Sequence, residues 1–310
     1  MVGVHRLQRH GQRADRSGPA VTTIWTGLAI GAVYALVAVG YNITMAQSGI
    51  FNFTQGQVMV FGCFFAWFTM VDLNLPWWGA AVAGAVVCGL IGLLVELLAV
   101  RPVVARHGAH GHALLVTTVG AFVIILGALA ATWGRTPKSL PFFGGSETVT
   151  LLGGKLSPVD LWLVAIAVVT ALAMHLVSGR TSWGLSGRAA TDNPDAAKAK
   201  GVNVTALRTT AFMLAGALGG LLGPVLAPKV GVSVSIGVSL TIYGFVALAL
   251  GGFGSYLGCL VGGAAVGLVQ ASAGRYFGAE YPPLILFGLL VLILLVKPTG
   301  LFGHRGLRVV

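Results

Sequence analysis

Long apolar runs alternate along the chain with short polar intervals. A membrane span needs about 20 mostly apolar residues. On that measure runs lie at about Val21 to Ala46, Val58 to Val71, Trp77 to Val100, Leu114 to Trp133 and Leu161 to Val177. After one long polar interval come about Thr209 to Ala227, Ile236 to Leu250, Leu257 to Ala273 and Pro283 to Val296. Backbone groups in lipid must be satisfied internally, so the pattern predicts an all-α, polytopic integral membrane helical bundle of about 8–10 transmembrane helices. A basic tail (1–20) precedes the membrane domain (21–304), and a short basic tail (305–310) follows it. In the first run Gly27, Gly31, Ala35 and Ala38 recur at helical spacing and predict a small-residue packing face.

The polar interval, 180–208, carries Arg180, Arg188, Lys198, Lys200 and Arg208 against Asp192 and Asp195. Basic loops between spans stay in the cytoplasm, which places this one there. Asn193-Pro194 is a helix-start signal, and Asp195 to Lys200 followed by Gly201 reads as a short alanine-faced helix with its stop. By itself such a loop is only a topology signal.

Its residues say more. Gly184, Arg188, Ala189, Asn193, Pro194, Ala196, Ala197, Gly201, Val202 and Asn203 fall on a pattern that resembles the coupling segment of ABC-importer permeases of the branched-chain amino acid (LivH-like) family. Leu185 and Gly187 stand where that pattern has Arg and Met. Four further strings, from Gly27 to Gly303, resemble the same family in order. They are G-L-A-I-G-A-V-Y-A-L-V-A-V-G-Y, the N-F-T-Q-G-Q of 52–57, L-G-G-F-G-S-Y-L-G-C-L-V-G-G and K-P-T-G-L-F-G. The resemblance implies a permease subunit in the bacterial cell membrane, paired with itself or a relative. It further implies two cytoplasmic ATPase subunits docked on the short helix, an outer solute-binding protein, and branched-chain or other apolar amino acids as substrate.

Between the first two runs lies S-G-I-F-N-F-T-Q-G-Q, with Asn52, Gln55 and Gln57 crowded around glycines. Polar, glycine-broken backbone at membrane depth is tolerated where it lines a cavity or is covered by protein. A polar surface turn is the other reading. The resemblance favours Asn52, Gln55 and Gln57 as translocation-path lining, although Thr54, Gln55 and Gln57 replace the Ala, His and Glu frequent in that family. Glu96, near Arg101, reads as an interfacial ion pair.

Composition narrows the classes. Of 310 residues 56% are hydrophobic and 9% charged, against about 25% charged in soluble domains. The net charge of +11 is confined to short loops and tails, which argues for positive-inside topology and against nucleic acid. Cys63, Cys88 and Cys259 are scattered through apolar runs as buried thiols. His107, His110 and His112 match no metal-site spacing, and no cofactor is expected. Gly153-Gly154-Lys155 lacks the remaining positions of a phosphate loop, so ATP hydrolysis must come from another subunit, and no catalytic set marks an enzyme.

Two alternatives stay open: a relative carrying urea or short amides, and a self-sufficient secondary transporter. The latter needs internal repeats with matching broken helices, and only the Asn52 break is visible. Four spans after the polar interval return the C-terminus to its side, whereas five before it put the N-terminus outside, against the charge of Arg6, Arg9, Arg13 and Arg16. A re-entrant Asn52 region and an even count, or an exceptional tail, would resolve the conflict.

Overall fold

The computed structural model describes residues 4–107, 112–134, 136–145, 147–151, 154–278, 280–297 and 300–303. Outside that description lie His110, Gly153, Arg305 and Arg308, as do the side chains of Arg6, Arg9, Arg13, Arg16, His107, His112 and Lys155. Helix α1 (Val4–Ser48) is followed by α2 (Gln55–Trp67), prolonged by a π-helical turn at Phe68–Asp72. Helix α3 (Trp77–Leu94) runs through a π-helical stretch, Val95–Val100, into α4 (Arg101–His107), and α5 (His112–Trp133) follows. A small hairpin, β1 (Val149–Leu151) and β2 (Gly154–Leu156), precedes α6 (Pro158–Arg180). Then come α7 (Ser182–Asp192), α8 (Pro194–Ala199), α9 (Val204–Leu221), α10 (Gly223–Val230), α11 (Ile236–Gly251), α12 (Tyr256–Tyr276) and α13 (Pro282–Val296).

Among the described residues six helical stretches are long and apolar enough to cross a membrane: Val21–Ser48, Trp77–Arg106, Ala113–Trp133, Pro158–Arg180, Val204–Leu221 and Tyr256–Tyr276. Helices α11 and α13 are apolar but shorter. Glycine sets the closest contacts. A Cβ at Gly31 would stand 2.6 Å from the Gly263 carbonyl oxygen, and one at Gly27 3.0 Å from the Leu268 Cα, so α1 and α12 touch backbone to backbone. Gly84, Gly92, Gly216 and Gly220 do the same for α3 and α9. Water drives no helix association within lipid, so this close approach is what dispersion and weak polar contacts require.

The two ends of the bundle follow from these contacts. The last turn of α1 meets α7, because the Gln47 side chain packs on Gly187. Beyond Gly49 (φ 66°) the chain folds back, and Gln55 lies against Gly40, well inside α1. From there α2 climbs to the far end, α3 descends, α5 climbs and α6 descends to α7. The Asn52 region is therefore re-entrant, but the helix after it completes the crossing. The count before α7 stays odd, and α1 begins at the end opposite α7 and α8.

The second half carries a break of its own. Helices α9 and α10 end at Gly231 (φ 75°), an extended stretch follows, and α11 starts deep in the bundle. The starts of the two half-helices face each other: Gly56 is pressed on Thr241 and Gly237, and Gly237 on Gln57. Two half-helices thus start from breaks that face each other. The sequence had revealed only the Asn52 break, because the second has no polar run to mark it.

Candidate functional site

Helices α7 and α8 project from one end of the bundle, and their boundaries are written in capping side chains. The Thr181 hydroxyl accepts from the Gly184 N–H (3.3 Å), Asn193 Oδ1 from the Ala196 N–H (3.0 Å) and Asn203 Oδ1 from the Ala206 N–H (2.9 Å). Pro194 occupies the first turn of α8, where no donor is needed. Gly201, at φ 85°, ends it in a conformation only glycine adopts freely. Gly184 is pressed on the Ser178 carbonyl, so any side chain there would collide. Arg188 Nη2 donates to that same carbonyl at 2.9 Å and ties α7 to the end of α6.

One face of α8 is fixed and the rest is free. Ala197 is buried against Ala190 and Leu207. Ala189, Asn193, Asp195, Ala196, Lys198, Ala199, Lys200 and Gly201 are exposed, which leaves a small alanine-faced knob. The structure thus brings the predicted residues of this segment into one protruding element, with Gly184 and Ala197 as its packing contacts.

Just beyond the knob sits a buried charge cluster. Arg208, in the second turn of α9, donates from Nε to Glu96 Oε1 at 2.9 Å, and its Nη2 lies 2.9 Å from the same oxygen. Arg101 Nη2 reaches Glu96 Oε2 and the Thr209 hydroxyl, both at 3.2 Å. The Glu96 side chain is fully buried and that of Arg208 is 7% exposed. The sequence had paired Glu96 with Arg101 alone. In the sequence Arg208 is the last residue of the polar interval, and its closeness to the apolar run after 209 is the available signal of burial. The π-helical stretch at Val95–Val100 re-aims Glu96 towards α9.

The polar break lies inside the bundle. Asn52 Oδ1 accepts from the Thr54 N–H (3.2 Å) and hydroxyl (2.6 Å), forming the turn that starts α2. Gln55 Nε2 donates to the Ala215 carbonyl at 3.0 Å. Asn52, Gln55 and Gln57 are all buried. Gln55 Oε1 and both amide atoms of Gln57 have no hydrogen-bond partner among the described residues. Towards the surface the break is covered by Phe51, stacked on Tyr41 at 4.6 Å and edge-on to Phe53 and Phe245. The three residues lie at the junction of the half-helices, beneath this aromatic cover.

The family described as "Branched-chain amino acid transport system / permease component" matches residues 23–296. The chain belongs to this permease family. It is 27% identical over 293 residues to the high-affinity branched-chain amino acid transport system permease protein BraD of Pseudomonas aeruginosa, covering 90% of this chain and 94% of that one. Identity to the permease protein LivH of Escherichia coli K12 is 27% over 297 residues, covering 91% and 94%. A probable LivH permease of Methanocaldococcus jannaschii is 25% identical over 286 residues, covering 86% and 88%. No solved structure matches. As a permease with six helices of spanning length among the described residues, the chain is a multi-pass membrane protein. Its named relatives are transport components rather than enzymes. The match spans the polar break, the Glu96 cluster and the α7–α8 knob, so all three belong to the permease body.

Proposed function

We propose that the chain is the membrane-spanning subunit of an ATP-binding-cassette importer for branched-chain or other apolar amino acids. It works as one of a permease pair, with two ATPases on the α8 end and a solute-binding protein at the other. The observation that carries this reading is the α7–α8 knob: exposed on its outer face, capped at both ends, and anchored to the membrane helices through Ala197, Arg188 and the Glu96–Arg208 pair. A motor pushing on α8 moves α9, and α9 is locked to α3 by glycine contacts and the buried ion pair. Parting α2 from α11 then lifts the Phe51–Phe245 cover and offers Asn52, Gln55 and Gln57 to the passing solute. Leaving a buried amide unpaired costs roughly 1–3 kcal/mol, a strain suited to groups that find partners in another state.

The paired, facing breaks favour one other reading, a gradient-driven transporter that acts alone. Uptake of radiolabelled leucine into proteoliposomes separates the two. Transport that needs ATP, the ATPases and the binding protein together supports the importer, whereas flux driven by an ion gradient through this chain alone overturns it. Calorimetry on the cognate binding protein fixes the cargo: leucine, isoleucine or valine as its ligand is the expected result, and urea or an amide replaces that substrate class.

A further inference from the structure

At the end of the bundle opposite α7, the joint between α10 and α11 is held differently from the helices around it. Helices α1 and α12, like α3 and α9, are locked backbone to backbone by glycines. The joint hangs instead on two lysines and one short backbone bridge. Its own helix supports it weakly: Pro228 lies inside α10 and brings no N–H to the last turn, and Gly231 (φ 75°) ends that helix.

Three contacts hold the joint from outside. Lys138, in the loop after α5, donates its N–H to the carbonyl of the buried Val232 at 2.9 Å, and the Val232 N–H donates back at 3.1 Å. The Lys138 ammonium stands 3.5 Å from the ring centre of Trp67, in the last turn of α2. Lys229, two residues before Gly231, is ion-paired to Asp160 in the first turn of α6. The second Asp160 oxygen accepts from the Ser157 N–H at 3.3 Å. Lys138 is half-buried and the Lys229 side chain is 18% exposed, so either ammonium can turn to water once released.

The loop 136–140 is therefore a strap from the end of α2 to the stretch that leads into α11. These are the two half-helices whose starts enclose Gln55 and Gln57. The aromatic cover of Tyr41, Phe51 and Phe245 closes the same polar break from the α7 side. We propose that Lys138 and Lys229 are the positioning residues of an outer gate. The strap shuts the break from the side opposite α7 and parts from Val232 and Trp67 once in each transport cycle. Strap and aromatic cover open in turn, so no continuous pore forms. This rests on the transport reading above and adds to it the element that admits the solute.

The test joins the strap covalently. Hydrogen-bonded antiparallel neighbours stand about 5.5 Å apart at Cα, within the roughly 4.4–6.8 Å that a disulfide spans. The assembled importer carrying Lys138→Cys with Val232→Cys is oxidised in proteoliposomes, with the buried native cysteines as background. Expected are loss of both introduced thiols, ATP-driven leucine uptake at least tenfold lower, and recovery in reductant, with each single variant indifferent to oxidation. A strap with only a structural role would gain stability from the bridge and keep transporting. Uptake within twofold of the reduced form therefore overturns the gate, and so does failure of the two cysteines to join. A second readout needs neither crosslink nor transport. Gln57→Cys, labelled from the outer side by a small membrane-impermeant thiosulfonate, should react severalfold faster when combined with Lys138→Gln, which keeps the backbone bridge. Asp160→Asn, which keeps the cap on Ser157, should act likewise. Unchanged rates in both overturn the gate. An importer whose unsubstituted chain moves no leucine overturns the transport reading instead, whereas one that moves leucine with its strap bridged overturns the gate alone.

Discussion

Glu96 shows most clearly how one residue's surroundings set its cost. A carboxylate without solvent is tolerable only because Arg208 and Arg101 supply paired, hydrogen-bonded charge. Glu96→Ala leaves the Arg208 guanidinium buried and alone, and the expected loss is about 3–5 kcal/mol, read as a lower melting temperature in detergent. A Glu96→Met, Arg208→Met pair should recover most of that loss, since apolar replacement of both partners removes the buried charge. Little of this was legible beforehand: a single sequence shows a carboxylate near an arginine, but not which distant helix brings a second. Glycines make the same point through shape. A Cβ at Gly220 would collide with the Gly84 carbonyl, whereas one at Gly120 meets nothing within 4 Å. Gly220→Ala should destabilise by about 1–3 kcal/mol, while Gly120→Ala should change stability by less than about 1 kcal/mol.

Among the elements, α8 was the most legible, because its start, stop and neighbours are each encoded by a residue with one local job. Asn193 caps, Pro194 starts, Gly201 ends and Asn203 caps the next helix. Such signals act over three or four residues and survive without tertiary context. The half-helix pair was only half legible. The first break announces itself by Asn52, Thr54, Gln55 and Gln57, whereas the second is made from Gly231, Val232, Ser233 and Val234 and reads as an ordinary turn. Function at this scale has two tests. Ala196→Trp, on the exposed face of α8, should cut ATP-driven uptake at least tenfold while leaving the binding protein's affinity for its solute unchanged by calorimetry. Gln57→Leu should lower uptake severalfold without unfolding the chain, since the amide it removes makes no hydrogen bond among the described residues. Normal uptake by either variant contradicts the role assigned to that element.

For the molecule as a whole, hydropathy sufficed for an all-helical membrane bundle and motif order sufficed for the family, because both are spread over the full length. Orientation was harder. Tail charge and loop charge disagreed, and the conflict resolves only when α1 is seen to end against α7 while α2 still crosses to the far side. The second break supplies the matching broken helix that a self-sufficient transporter needs, so the case for a motor-driven importer rests on the α8 knob and the family. The side of the membrane on which the knob stands is therefore the decisive measurement. Cys63, Cys88 and Cys259 are buried, so a cysteine introduced as Ala196→Cys can be read cleanly with a membrane-impermeant maleimide. The account predicts labelling in inverted vesicles, suppressed when the ATPase subunits are bound, and no labelling in intact cells. Labelling in intact cells would put the knob where no ATPase can reach it and contradict the account.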